Sequence, residues 1–344
     1  MSSSQGGATR EAFDHILNAF RGVQTVQAAA LGLELGLLHA LRDAGEQTSA
    51  ELAERLELHP PYVQVWCEAG YAFGLLEIAE DGKYHLAPGM ETVLLDADHP
   101  RWLGGFARGF VSFLDDDFRR YPDAFRTGAV FPFGEHGAAF SAWVASLTHP
   151  MQRLVVGRVL PEHFGDALAE GIRVLDIGCG AGQLIFKLAD AFPRCQFVGI
   201  DGDAHGIALA GASAAERGLT DRVQFHHLKG EMSAFEHTFD LALMFEVLHE
   251  IPLEDRPAVM QSAFRALRSG GHLFILDETL PDDPRDLRDP AWAMSVLVQF
   301  SELIWGNVVS TEQAQTALLT QAGFTDIQRG DLGGVFTLIT ARKP

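Results

Sequence analysis

The sequence predicts an α/β fold, a doubly wound and mostly parallel seven-stranded sheet preceded by a smaller N-terminal α-helical domain. One observation is the alternation of helical stretches with five apolar runs, near residues 172–176, 196–201, 222–227, 239–245 and 271–277. Such alternation is typical of a parallel sheet. A second is the pair of strand-like segments at 324–328 and 335–340, which a glycine turn joins into an antiparallel hairpin.

The third observation is the turn after the first apolar run, Asp176-Ile-Gly-Cys-Gly-Ala-Gly182, which leads into a predicted helix from Gln183 to Ala191. Glycines at such a turn permit positive φ and let a ligand approach bare backbone. The dinucleotide fingerprint G-x-G-x-x-G would require glycine where Gln183 stands. The Asp176 carboxylate would repel a pyrophosphate but attract a ligand that carries ammonium and sulfonium charges, such as S-adenosylmethionine.

A second acid follows at the end of the next predicted strand, Phe197-Val-Gly-Ile-Asp201, 19 residues beyond Gly182. In α/β nucleotide-binding folds, a carboxylate at this position accepts hydrogen bonds from the ribose hydroxyls. Asp201 is therefore the predicted ribose ligand.

From about Leu168 to the C-terminus the sequence resembles the class I S-adenosylmethionine-dependent methyltransferases. Besides the glycine turn and Asp201, the resemblance rests on three segments: Val223-Gln-Phe-His-His-Leu-Lys-Gly-Glu231, Phe239-Asp-Leu-Ala-Leu-Met-Phe-Glu-Val-Leu-His249 and Leu267-Arg-Ser-Gly-Gly-His-Leu-Phe-Ile275. It implies a Rossmann-like sheet that ends in an antiparallel hairpin. It also implies S-adenosylmethionine as the cofactor and S-adenosylhomocysteine as its product.

The resemblance assigns cofactor contacts residue by residue. It places Asp176 and the backbone of Gly178 and Gly180 at the methionine part, Asp201 at the ribose and Gly202 in the adjoining turn. It places Glu231 and Met232 at the adenine, although the family more often has Asp at the first position, and the backbone of Phe245 at the methionine ammonium. His226 and His227 end a strand on the adenine side, where a structural role is favoured.

Composition limits the function classes. The chain has 344 residues, 47% of them hydrophobic, which is enough for two domains. A formal net charge of -20 argues against binding nucleic acid or an anionic membrane. No run of 18 apolar residues is present, the first seven residues are polar, and there are only three cysteines. These features predict a cytoplasmic protein. Cys179 is predicted to be a small residue that fills space in the glycine turn.

Residues 1–100 are predicted to form a winged-helix-like dimerisation domain. Amphipathic helices come first, Thr48 begins a capped helix, and Asp81-Gly82 indicates a hairpin. A DNA-binding regulator that senses the cofactor is the competing reading, but residues 1–90 hold five Lys/Arg against twelve Asp/Glu. The domain resembles the N-terminal module of small-molecule O-methyltransferases, which implies a homodimer.

Residues 101–165 are predicted to form connecting or lid helices between this domain and the methyltransferase domain at 166–344. Eleven aromatic residues fall within about 42 positions: Trp102, Phe106, Phe110, Phe113, Phe118, Tyr121, Phe125, Phe131, Phe133, Phe140 and Trp143. Their density suggests a wall for an apolar or aromatic acceptor, whereas ordinary core packing is the default for any single ring.

His249 is the candidate general base, because it follows a predicted strand at the carboxyl edge of the sheet. The O-methyltransferases that this chain resembles carry their base here, although they continue with Asp-Trp and this chain continues with Glu250-Ile251. Glu302, an acid in an otherwise apolar helix predicted at 291–305, is the candidate to orient it. A pocket-lining role for His249 and a solvated Glu302 remain open.

The sequence thus predicts methyl transfer from S-adenosylmethionine to a small apolar or aromatic metabolite, most simply at a hydroxyl oxygen, with no metal. One alternative is C- or N-methylation, for example of a keto acid, with a metal held by His249, Glu250 and Glu302. The second alternative is the winged-helix transcriptional regulator.

Overall fold

The computed structural model describes residues 2–228, 235–334 and 336–344. The chain forms two compact units. The first comprises Met1–Arg120 and His136–Met151, and the second comprises Tyr121–Glu135 and Gln152–Pro344. The predicted division at residues 100 and 165 stays a prediction, and residues of its middle segment belong to both units.

The first unit is helical apart from one small hairpin. Its elements are α1 (Ser2–Glu34), α2 (Leu37–Ala44), α3 (Ser49–Arg55), α4 (Pro60–Ala72), β1 (Leu76–Ile78), β2 (Tyr84–Leu86), α5 (Gly104–Gly109) and α6 (Asp115–Phe118). Thr48 and Glu51 form the capping box that starts α3. The predicted hairpin is confirmed, since β1 and β2 pair antiparallel. The winged-helix assignment stays a prediction.

The second unit carries the large sheet. Its strands are β3 (Arg173–Ile177), β4 (Gln196–Asp201), β5 (Val223–His227), β6 (Phe239–Phe245), β7 (Leu267–Asp277), β8 (Thr325–Leu332) and β9 (Phe336–Arg342). Its helices, with one that begins in the first unit, are α7 (Tyr121–Thr127), α8 (Ala138–Leu154), α9 (Leu160–Glu170), α10 (Gln183–Ala191), α11 (Ala204–Glu216), α12 (Arg256–Ala266), α13 (Ala293–Glu302) and α14 (Glu312–Ala322).

The strand order is β5-β4-β3-β6-β7-β9-β8. The five strands from β3 to β7 pair in parallel, and β9 pairs antiparallel with β7 and β8. The predicted seven-stranded, mostly parallel sheet is therefore confirmed. The chain leaves β3 toward β5 and returns on the other side to β6, so the strand order reverses at β3. Ligands of such sheets bind beyond the carboxyl ends of the strands at this reversal.

The central strands are buried on both faces, which explains their continuous apolar runs. Phe239, Ala242 and Met244 of β6 are 0% exposed and pack with Leu273 and Ile275 of β7 in one cluster. Among the described residues, no helix combines the length and apolar character needed to cross a membrane.

Two predicted boundaries were wrong. β7 begins at Leu267, not near 271, because a register shift opposite Phe239 and Leu241 lets it pair earlier. The sequence also predicts a helix from Met151 to Ala169. In the structure this segment continues α8, which begins at Ala138, contains Pro150 and passes through a π-helical turn at Val155–Val159 into α9. Proline in a helix interior removes one hydrogen bond, which the remaining turns of this long helix tolerate.

Candidate active site

The glycine turn after β3 forms an open cradle. Gly178 has φ 79°, and a Cβ at that position would lie 2.1 Å from Cγ2 of Val247. Gly180 has φ 50°, and a Cβ there would meet no atom within 4 Å. Only glycine therefore fits at position 178. Open space lies over Gly180, as a ligand that binds against the backbone requires.

Asp201 ends β4 and ties the turn to the next helix. Its Oδ2 accepts a hydrogen bond from the backbone N–H of Gly180 at 2.7 Å, and its Oδ1 accepts one from that of Asp203 at 2.7 Å. The neighbouring carbonyl of Gly202 contacts Nε2 of His227 at 3.0 Å. Because each carboxylate oxygen has two acceptor positions, Asp201 retains the capacity to accept ribose hydroxyls.

Asp176 lies inside β3, one residue before its end, rather than at the mouth of the turn. It is 2% exposed. Burial, and then repulsion from Asp201, raise the pKa of Asp176 to about 7. A cation bound nearby would favour the ionised form, because opposite charge offsets the desolvation of a buried carboxylate.

The other predicted contacts are only partly described. Phe245 is the last residue of β6 and 8% exposed, so its backbone reaches the carboxyl edge of the sheet. Glu231 and Met232 lie outside the described residues. Cys179, predicted to fill space, is buried, and burial raises the pKa of its thiol, as expected for an unreactive thiol.

His249 follows β6 in a short loop that backbone contacts hold firmly. Its carbonyl accepts hydrogen bonds from the backbone N–H of Val308 at 2.9 Å and from the guanidinium of Arg256 at 3.0 Å. Arg256 also donates to the carbonyls of Ile251 and Val308. The His249 loop is thereby fastened to the segment that follows α13.

Carboxyl groups contact both ring nitrogens of His249, which is 4% exposed. Nδ1 lies 2.8 Å from Oδ1 of Asp277 and 3.2 Å from Oε2 of Glu278. Nε2 lies 3.3 Å from Oε2 of Glu302, whose side chain is 21% exposed and also accepts from Nδ2 of Asn307 at 2.8 Å. The predicted pair of His249 and Glu302 is thus brought together, with Glu302 on the more exposed side of the ring.

Electrostatics favour the protonated ring. Burial by itself lowers the pKa of His249, but the Asp277 and Glu278 carboxylates and hydrogen bonds with Asp277 and Glu302 raise it well above its ordinary value. An imidazole in this setting is a strong base and holds an accepted proton firmly.

Asp277, Glu278 and Glu246 were not predicted as residues of the site. All three lie where strands β6 and β7 end. The sequence contains a signal for them, since acids directly follow the apolar runs 241–245 and 273–276.

The predicted metal alternative used Glu250, which is exposed. Three atoms able to bind a metal, from His249, Asp277 and Glu278, lie within 4.8 Å of one another. This set differs from the predicted metal alternative of His249, Glu250 and Glu302.

Comparison with known proteins identifies the family. Residues 168–321 match the profile of the family described as Methyltransferase domain. Over 89% of its length the chain is 25% identical to a 3-hydroxy-5-methyl-1-naphthoate 3-O-methyltransferase from Streptomyces sahachiroi, 88% of which is covered. Over 80% of its length it is 30% identical to aclacinomycin 10-hydroxylase RdmB from Streptomyces purpurascens, 77% of which is covered.

The chain belongs to the S-adenosylmethionine-dependent methyltransferases. The fold of this methyltransferase matches that of the methyltransferase SibL with a TM-score of 0.77 at 20% identity, over 96% of this chain and 99% of that one. It also matches human N-acetylserotonin methyltransferase, whose structure contains S-adenosylmethionine, with a TM-score of 0.72 at 19% identity over 100% and 99% of the two chains.

The residues of this methyltransferase suit its cofactor. The open space over Gly180 admits a ligand against the backbone, and Asp201 offers acceptors for hydroxyl groups. Asp176 supplies a buried carboxyl group beside them, and a bound cation would favour its ionised form. S-adenosylmethionine carries hydroxyl groups, an ammonium and a sulfonium, which are the partners that these groups bind best.

Proposed function

We propose that this methyltransferase methylates a hydroxyl oxygen of a small aromatic or apolar metabolite, with His249 as the general base. The observation that carries the proposal is the orientation of the imidazole. Asp277 contacts Nδ1 at 2.8 Å, so Nε2 is the nitrogen that faces the more exposed side. A neutral hydroxyl loses its proton on methylation, and a positioned base accelerates that step by roughly 10²- to 10⁴-fold.

S-adenosylmethionine supplies an activated methyl group for direct displacement. The protein must then align the acceptor, exclude water and take up one proton. In the proposed step the acceptor oxygen forms the new O–CH₃ bond, the S–CH₃ bond breaks, and the hydroxyl proton passes to Nε2 of His249. Alignment of this kind is worth up to ~7–11 kcal/mol. The acceptor hydroxyl replaces Glu302 as the partner of Nε2.

Aromatic packing beside Glu302 supports an apolar acceptor. Within the second unit, Tyr121 packs on Phe125 and on Phe300, and its hydroxyl donates to the Phe300 carbonyl. Helix α13 nevertheless leaves Leu297 60% and Phe300 53% exposed. A row of exposed apolar side chains on the helix that carries Glu302 is suited to binding an apolar ring. We propose that part of the aromatic-rich segment and α13 line the acceptor pocket.

The names of the relatives agree with this acceptor class. The relative from Streptomyces sahachiroi methylates a hydroxynaphthoate, and a second relative, 26% identical over 86% of this chain, is the tetracenomycin polyketide 8-O-methyl transferase TcmO from Streptomyces glaucescens. Both names state O-methylation of a polycyclic or aromatic compound. A compound of that class is the first acceptor to test.

We also propose a homodimer formed through the first unit. Residues 6–24 of α1 are exposed and carry large apolar side chains: Phe13 65%, Ile16 53%, Leu17 52% and Phe20 64%. An exposed helix with this apolar stripe is stabilised by a second copy that buries the same stripe. Light scattering should give twice the monomer mass, and Phe20→Glu should reduce it to the monomer mass, whereas Arg10→Glu on the same helix should not.

We infer a cytoplasmic location. Cys67, Cys179 and Cys195 are free and buried, which suits a reducing compartment. Fractionation of the native host followed by an activity assay would test this inference.

The decisive experiment incubates the protein with methyl-labelled S-adenosylmethionine and a panel of phenols, hydroxynaphthoates, keto acids and amines. O-methylation predicts a product that gains one CH₂ unit on a hydroxyl oxygen. Labelling of carbon or nitrogen would favour the alternative reaction, and a product that gains an oxygen instead would match the hydroxylase among the relatives. A DNA shift assay in parallel tests the regulator.

Mutation of the base separates chemistry from binding. His249→Ala should leave S-adenosylmethionine binding intact and lower turnover by ~10²-fold or more with a hydroxyl acceptor. Unchanged turnover in this variant would remove His249 from the mechanism.

A further inference from the structure

A buried amide lies beside Glu302, and the proposed proton transfer does not use it. Asn307 is 8% exposed, and its Nδ2 donates to Oε2 of Glu302 at 2.8 Å. The same oxygen lies 3.3 Å from Nε2 of His249. Among the described residues, no other side chain forms a hydrogen bond or an ion pair with Glu302. One carboxylate oxygen is therefore shared between the imidazole and the Asn307 amide.

A reversal of the chain after α13 brings Asn307 back to Glu302. Glu302 is the last residue of α13, and one tight helical turn at Leu303–Trp305 follows it. Gly306 then has φ 92°, in the left-handed region that glycine adopts readily. The backbone N–H of Asn307 donates to the carbonyl of Glu302 at 3.4 Å. The side chain of a residue just beyond the helix thus returns to the acid that ends it.

The segment that carries Asn307 is anchored through its backbone. The Gln299 side chain of α13 donates to the Asn307 carbonyl at 3.2 Å and accepts the backbone N–H of Val309 at 2.7 Å. On the other side, the backbone N–H of Val308 donates to the His249 carbonyl at 2.9 Å. None of these contacts involves the Asn307 side chain. Its amide is therefore held in place without taking part in the anchoring.

The shared oxygen must lose one of its partners when the acceptor binds. A hydroxyl that donates to Nε2 of His249 meets a lone pair there, and a carboxylate also only accepts hydrogen bonds. Glu302 and that nitrogen then have no hydrogen bond to form with each other. The Glu302 side chain is only 21% exposed, and a largely buried carboxylate without a donor costs free energy. The Asn307 amide is the donor that remains.

We propose that Asn307 is a positioning residue that retains Glu302 when the acceptor hydroxyl displaces it from Nε2 of His249. In the ligand-free enzyme the Glu302 carboxylate occupies Nε2. On acceptor binding it keeps its hydrogen bond with Asn307 and leaves the nitrogen to the hydroxyl. The inference rests on the proposed function, because it takes a hydroxyl as the group that reaches Nε2.

The test is a double-mutant cycle on the KM for the phenol or hydroxynaphthoate that the enzyme methylates fastest. Asn307→Leu keeps the size of the side chain but removes the donor. Glu302 then binds Nε2 without competition and has no partner once it is displaced. The acceptor KM should rise about tenfold, and kcat and the KM for S-adenosylmethionine should change much less. In Glu302→Ala no carboxylate has to move, so adding Asn307→Leu should change the acceptor KM by less than about twofold.

Gln321→Leu, at an exposed amide of α14, is the matched control for replacing an amide with an apolar group. Equal effects of Asn307→Leu in the wild type and in Glu302→Ala would show that Asn307 acts through the fold, which would overturn the proposal. An acceptor KM that stays at the wild-type value in Asn307→Leu would also overturn it. Thermal unfolding shows whether the variant folds, and Asn307→Ala takes its place in the cycle if it does not.

A second measurement requires no acceptor. The NMR signal of His249 Nε2 in the ligand-free protein, assigned by its loss in His249→Gln, reports the contact with Glu302. Asn307→Leu should shift this signal, because it removes the donor that competes for Oε2. In the Glu302→Ala background the same substitution should leave the signal in place. An unmoved signal in Asn307→Leu would refute the role of Asn307, whichever atom the enzyme methylates.

The two measurements distinguish a failure of this inference from a failure of the proposed function. Wild-type turnover in His249→Ala would refute the base role, and the displacement of Glu302 by a hydroxyl with it. If His249→Ala is impaired but the effects of Asn307→Leu and Glu302→Ala on the acceptor KM are independent, the role of Asn307 alone is refuted.

Discussion

Asp277 contacts His249 with both carboxylate oxygens: Oδ1 lies 2.8 Å from the ring Nδ1, and Oδ2 accepts the backbone N–H of His249 at 3.4 Å and that of Leu248 at 2.6 Å. The ring and the backbone beside it are thus fixed by one buried carboxylate at the end of β7. When the ring is neutral, this contact selects the tautomer with the proton on Nδ1, which leaves the lone pair on Nε2 to accept a proton.

Asp277→Asn should therefore impair catalysis more than binding. An amide can donate to Nδ1 and favour the wrong tautomer, and it removes the charge that stabilises the imidazolium. We expect kcat to fall by about 10²-fold or more, with a small change in S-adenosylmethionine affinity. Asp190→Asn, at an exposed acid paired with Arg217, is the control. Wild-type kcat in Asp277→Asn would contradict the role of Asp277.

Asp201→Ala should abolish cofactor binding. The substitution removes the acceptor for the N–H groups of Gly180 and Asp203 and the predicted acceptor for the ribose hydroxyls. Calorimetry should detect no S-adenosylmethionine binding, while circular dichroism should show a folded protein. Retained affinity within a few-fold of wild type would exclude Asp201 from the cofactor site.

The affinity for S-adenosylmethionine should depend on pH through Asp176. Its folded pKa is raised to about 7 from the ordinary 3.8, so the free protein holds a proton there below pH 7. A cationic ligand prefers the ionised acid, hence binding should release this proton and weaken by up to about tenfold per pH unit as the pH falls below 7.

Calorimetry in buffers of different ionisation enthalpy would measure that proton release. S-adenosylhomocysteine lacks the sulfonium charge, so its affinity should depend less on pH. In Asp176→Asn the affinity for S-adenosylmethionine should change little with pH.

The raised pKa of Asp176 also affects the free energy of unfolding. The ligand-free protein should lose stability as the pH rises from about 4 to 7, because the unfolded chain ionises this acid first.

Gly178→Ala should destabilise the protein and weaken cofactor binding together. The new Cβ would lie 2.1 Å from Val247 and would adopt φ 79°. Overpacking of this kind costs about 1–3 kcal/mol. Thermal unfolding and calorimetry would measure the two effects. Gly211→Ala is the matched control, since a Cβ there meets nothing within 4 Å.

Much of the fold follows from local pattern. The helix after the glycine turn begins and ends where predicted, at Gln183 and Ala191, because glycine conformation and apolar periodicity are local signals. The start of β7 was missed, because a register shift against β6 depends on the partner strand. Helix α8 begins 13 residues before the predicted start at Met151, because the surrounding turns tolerate Pro150.

The candidate site also depends partly on local sequence signals and partly on contacts between distant residues. The sequence by itself determined the parallel sheet, its glycine turn, and the places of Asp201 and His249 at the ends of its strands, since each is encoded within a few neighbouring residues. Only the tertiary structure decided that His249 lies between Asp277 and Glu302, with Glu246 and Glu278 beneath it. Those residues are up to 56 positions apart, and the pairing of β6 with β7 and the Arg256 contacts bring them together. Spacing along the chain carries no record of such contacts.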